Sequence, residues 1–130
     1  MSYYIARTVN RSFDTVVADV IERLKAEGFG VLTDIDVQAT MKAKIGADMR
    51  RYRILGACNP KIAFEALRLE DRLGVLLPCN LIVRETADGR VEVASIDPVS
   101  QMERTGNAAL AGAAEDVRQR LTRALDALAP

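Results

Sequence analysis

The sequence predicts an α+β domain, with a mainly antiparallel five-stranded sheet in the order strand, helix, four strands, helix, and two short helices inserted. Three observations carry this. Residues 3–9 alternate as a strand and lead into an amphipathic helical pattern that stops at Gly28. Asp88-Gly89 sits between two strand-like runs, a hairpin signal that makes the last two strands antiparallel. Residues 75–85 are apolar on both sides of a two-residue alternation, so that strand needs cover on both faces. Two long helices can cover only one face of such a sheet, which leaves the other to the inserted helices or to a second subunit.

In order, Tyr3, Ile5, Arg7 and Val9 alternate with Tyr4, Ala6 and Thr8 in the first strand. Ser12 can cap the first helix, with Asp14 in its first turn and Phe13, Val16, Val17, Val20 and Leu24 on one face. The second strand is expected to place Phe29, Val31, Thr33, Ile35 and Val37 on one side and Asp34 and Asp36 on the other. Residues 38–45 lack alternation and read as a short helix ended by Gly46. Residues 52–57 form the third strand, closed by Cys58. Asn59 then caps the next helix and Pro60 opens it. The fourth strand is expected over 75–85 and the fifth over 91–96, with Pro78 marking a bulge or an edge because it cannot donate to a ladder. Asp97-Pro98 repeats the cap-then-proline pattern and starts a short turn. The last helix is expected from about Asn107 to Leu128.

At 130 residues the chain reads as one domain, 1–130, whose core needs no disulfide or metal. Lys plus Arg and Asp plus Glu are 18 each, which argues against broad nucleic-acid binding. There is no His, so the commonest general base and metal ligand are absent. Residues 1–4 do not begin a signal peptide, and no run of about 18 apolar residues spans a membrane. A cytoplasmic protein with reduced thiols is expected. No motif implies a cofactor, and two cysteines 21 positions apart do not have zinc-site spacing.

One phrase occurs twice, as Cys58-Asn59-Pro60 and Pro78-Cys79-Asn80, and holds both cysteines of the chain. With their flanks, Ile54-Leu55-Gly56-Ala57-Cys58-Asn59-Pro60 and Gly74-Val75-Leu76-Leu77-Pro78-Cys79-Asn80, these segments resemble the bacterial and archaeal family catalogued as domain of unknown function 302. The segment Thr40-Met41-Lys42-Ala43-Lys44-Ile45-Gly46 is similar to a Thr-x-Lys-x-Lys-x-Gly segment of that family, and Asp97-Pro98 and Thr105-Gly106-Asn107 sit where the family has them. The resemblance covers nearly the whole chain. It implies a fold like one repeat of the TATA-box-binding protein and a homodimer. It implies no DNA binding, because fold is not function, and it supplies no activity.

The residues themselves support three readings. The first is a homodimeric module that binds a small anionic or thiol-reactive ligand near Cys58, Asn59, Cys79, Asn80 and Lys44. The second is a thiol enzyme or redox protein with Cys58 as nucleophile, its pKa lowered by the helix start beside it. The third is a structural dimerisation domain, in which Cys58 and Cys79 are small core residues and Asn59 only a cap. Asn80, if buried, must find hydrogen-bond partners in the backbone or a ligand. Lys42, Lys44, Arg50, Arg51 and Arg53 form a basic run, either a solvated face or one side of an anion site. If strands three and four pair as a direct hairpin, the cysteines lie roughly 16 Å apart and no intrachain disulfide forms.

Overall fold

The computed structural model describes residues 2–130. Strand β1 (Tyr4–Val9) leads into helix α1 (Phe13–Ala26), strand β2 (Gly30–Asp36) and helix α2 (Val37–Ile45). Strand β3 (Tyr52–Cys58), helix α3 (Pro60–Leu69), strand β4 (Cys79–Glu85) and strand β5 (Val91–Ile96) follow, and helices α4 (Pro98–Met102) and α5 (Ala111–Asp126) close the chain. The five strands form one sheet in the order β1-β5-β4-β3-β2, with every neighbouring pair antiparallel. The chain order and the α+β class are those expected from the sequence. The first two strands take opposite edges, so the α1 connection crosses three intervening strands.

Helices α1 and α5 cover one face. Phe13, Val16, Val17, Val20 and Leu24 of α1 are buried, the stripe read from the sequence, and Val117, Leu121 and Leu125 of α5 lie in the same core. From the sheet, Leu55, Leu81, Val83 and Val93 meet them at 0% exposure. A smaller cluster beside this core joins Ala66, Leu73, Met102, Leu110 and Ala114.

Short-range chemistry sets several helix and turn boundaries. Asp36 accepts from Ala39 N at 2.9 Å to cap α2, and Gly46 ends it in the left-handed region at φ 67°. Asp97 caps α4 by accepting from Val99 N at 3.0 Å and also holds Arg118 Nε at 3.2 Å. Ser12 occupies the start of α1 but donates to Thr15 Oγ1 and makes no side-chain cap bond. Gly89, at φ 82°, turns the β4–β5 hairpin.

Three boundaries differ from the sequence reading. Residues Asp71–Leu76 form a 3-10 turn, so β4 begins at Cys79. Leu73 fills the smaller cluster at 1% exposure while Val75 is 85% exposed, and this burial overrides the apparent alternation. In β2 the register shifts between Val31 and Thr33, which moves Thr33 and Ile35 to the face opposite Val31, and Val37 opens α2 instead of ending the strand. Residues Ala108–Leu110 form a separate 3-10 turn before α5.

The second face of the sheet is open. Helix α2 has no buried residue and α4 packs beside α5, so neither inserted helix covers it. Ile35, Ile54, Ile82, Ala94 and Ala6 are directly opposed across all five strands and form one apolar row along its middle. No helix is long and apolar enough to cross a membrane among the described residues.

Candidate functional site

The two Cys-Asn phrases meet at one end of the central β3–β4 pair. Cys58 is the last residue of β3 and Cys79 the first of β4. Ala57 pairs with Cys79, and Gly56 with Asn80. The expected 16 Å separation is therefore corrected. Because β4 starts at Cys79 and not at Val75, Cys58 stands one residue from Cys79's direct partner. Both thiols are free. Ala57 and Cys79 turn toward the helices, at 1% and 8% exposure, and Cys58, half-buried at the strand end, borders one small cavity with them. Asn59 is the cap of α3, accepting from Ile62 N at 3.3 Å. Cys58, Asn59 and Cys79 border a cavity of about 30 Å³, space for a water molecule but not for an organic ligand.

Asn80 belongs to a different environment. It is exposed on the open face, and no side-chain hydrogen bond involves it among the described residues. The premise that it is buried in an apolar strand fails, because the face it occupies is uncovered. It borders a concavity of about 450 Å³ lined also by Tyr3, Tyr4, Tyr52, Ile82, Ala94 and Ile96. In the same lining Arg84 Nε donates to Glu92 Oε1 at 2.8 Å. Gly56 makes room beside Asn80. A Cβ there would stand 2.6 Å from Pro78 Cγ and would also collide with Thr33 Oγ1.

A family model described as "Domain of unknown function DUF302" matches residues 5–128. The chain belongs to that family. Among solved structures it is similar to a crystal structure described as that of an uncharacterized conserved DUF302 protein from Bacillus stearothermophilus. The TM-score is 0.90 and the identity 29%, over 97% of this chain and 98% of that one. No curated protein matches.

In this DUF302 protein burial works against activation of both thiols. Burial pushes the Cys58 thiol above its ordinary value, and burial together with the neighbouring Cys58 pushes Cys79 to about 11. Desolvation, the effect that acts on Cys58, runs against the lowering expected from the helix start, and Asn59 already satisfies the N–H of Ile62.

Lys44 is exposed on α2, which leaves the sheet at the Asp36–Arg53 end, away from the Gly30–Cys58 end. It borders neither the small cavity nor the concavity. The basic run of this DUF302 chain largely dissolves into ion pairs: Lys42 with Asp48 at 2.9 Å, Arg51 with Asp14 at 2.7 Å, and Arg53 with Asp34. These arginines hold the carboxyls of Asp14 and Asp34 below the usual range, through hydrogen bonds first.

The structure thus joins Cys58, Asn59 and Cys79, places Asn80 on the opposite face, and separates Lys44 from both. Sequence reasoning missed the three tyrosines and the Arg84–Glu92 pair. The available signal was the outward side of the first strand, Tyr4, Ala6 and Thr8. Which other residues share that face depends on strand order, which periodicity does not contain.

Proposed function

We propose that this protein is a cytoplasmic homodimeric module that binds a small ligand on the open sheet face, against Asn80. The observation that carries this reading is the concavity of about 450 Å³, within the usual range for small-molecule sites, lined by an unengaged amide, three tyrosines and apolar side chains. Among the described residues the one cation bordering it, Arg84, is already paired with Glu92. The chemistry therefore favours a ligand with an apolar or aromatic body and uncharged hydrogen-bonding groups over an anion. The cysteines serve as packing at the strand ends in this reading. A thiol enzyme using Cys58 has in its favour only that Cys58 is less buried than Cys79.

Thermal-shift screening against small aromatic amides, phenols, carboxylates and phosphates tests this. Ligands of the first two kinds are expected to raise the melting temperature in wild type and not in Asn80→Ala or Tyr52→Ala. Stabilisation that survives both substitutions would place the site elsewhere.

A further inference from the structure

We infer that the small cavity bordered by both cysteines is a binding site for one soft monovalent metal ion, Cu(I), held by the thiolates of Cys58 and Cys79 with the Met102 thioether as third ligand. This site is separate from the one on the open sheet face, and neither depends on the other.

Three sulfur-bearing residues from three parts of the chain converge here. Cys58 ends β3, Cys79 opens β4 and Met102 ends α4, and all three border the cavity. They are both cysteines of the chain and one of its four methionines. The two hydrophobic clusters meet at this point, since Ala57 and Cys79 belong to the larger and Ala66, Leu73 and Met102 to the smaller. Cys and Met are ordinary core residues one at a time. Three of them around a space of about 30 Å³, the size for a single ion, form a donor set.

The donor set chooses the metal. Thiolate and thioether are soft donors, which select Cu(I) over the hard cations that need oxygen ligands. Among the described residues bordering the cavity none is a carboxylate or a basic side chain, and the amide oxygen of Asn59 already accepts from Ile62 N. Zinc is disfavoured, because a structural zinc site closes with four donors and this cavity offers three sulfurs. Two or three soft donors satisfy Cu(I).

Binding exchanges protons for metal without a change of oxidation state. Two Cu–S bonds form to the thiolates, both thiol protons leave to solvent, and copper stays Cu(I). The loaded site carries one negative charge. It lies at the start of the ten-residue helix α3, where the dipole favours an anion. Half-buried Cys58 gives the ion its way in, while Cys79 at 8% and Met102 at 7% exposure shield it from water.

The test uses the full chain, reduced and kept under nitrogen. Cu(I) is offered as its coloured complex with bathocuproine disulfonate, and loss of colour reads transfer to the protein. Wild type is expected to take one copper per chain. Cys58→Ser and Cys79→Ala are each expected to weaken binding about 100-fold or more, since loss of an outer-shell partner alone costs about 10–100-fold. Met102→Leu, which keeps the side-chain volume, is expected to weaken it roughly tenfold. If Cys79→Ala does not fold, iodoacetamide on the wild-type protein takes its place. Protein blocked at Cys58 is expected to take no copper, and copper-loaded protein to resist labelling at Cys58.

Colour that persists in excess wild-type protein would overturn the inference. So would cysteine variants or blocked protein that bind as wild type does, since the metal would then sit elsewhere. One copper per two chains would overturn it too, because all three sulfurs belong to one chain. Unchanged affinity in Met102→Leu would overturn the three-sulfur site, and displacement of the copper by equimolar Zn(II) would overturn the choice of metal.

Discussion

At the scale of single residues, the twin cysteines border one small cavity but differ in burial. Cys79 faces the helices with its thiol pushed to about 11, while Cys58, next to Cys79's partner, is half-buried at the strand end. Burial distinguishes them. Iodoacetamide is expected to label Cys58 slowly at neutral pH, faster as the pH rises toward its elevated pKa, and to label Cys79 only after unfolding. Site-resolved mass spectrometry reads both rates, and a Cys79 that reacts first in the native protein would contradict the difference in burial. Both thiols are free in the fold although they border one cavity, and two free thiols are expected in unfolded protein prepared without reductant.

At the scale of elements, the β3–β4 pair depends on one glycine. Gly56 lies between Thr33 of β2 and Pro78, opposite Asn80, and a Cβ there has no space. Its need is steric, since its backbone is ordinary strand and only Gly28, Gly46, Gly89 and Gly106 have positive φ. Gly56→Ala must displace Pro78 or Thr33, and overpacking of this kind costs about 1–3 kcal/mol. Urea unfolding is expected to show the loss as a lower midpoint at unchanged slope. A variant as stable as wild type would mean that Pro78 and Thr33 move aside freely, and that the geometry around Asn80 is loose.

At the scale of the whole molecule, the zero formal net charge conceals a set of ion pairs that tie distant segments together. Asp19 of α1 accepts from Arg11 at 2.8 Å and Arg23 at 3.1 Å, with its side chain 13% exposed. The hydrogen bond from Arg11 is the largest of several effects that hold its carboxyl below the usual value. A carboxylate whose folded pKa is depressed contributes stability that is present above its unfolded value, about 3.9, and lost as pH falls through the folded value. Stability is therefore expected to hold from neutral pH down to about pH 5 and to decline below about pH 4. Asp19→Asn should be less stable at pH 7 and should lose less on acidification. Urea midpoints measured against pH for both proteins check this, and parallel curves would show that Asp19 does not contribute.

What the sequence determined by itself was local. The two-residue and 3.6-residue periods named nearly every element, and the short-range chemistry of Asn59, Asp97, Gly46 and Asp88-Gly89 set the starts, stops and hairpin. The twin phrases and their flanks also carried the family. The tertiary structure decided whatever depends on register. Strand order put β1 and β2 at opposite edges. One bulge in β2 moved Thr33 and Ile35 to the other face. The burial of Leu73 drew residues Asp71–Leu76 out of the fourth strand and set Cys79 beside Ala57. A pattern of period two says that alternate residues share a face, but not which face, nor which strand lies beside it. Long-range pairing settles both, and so the tyrosines, Asn80 and Arg84–Glu92 came together only in the folded sheet.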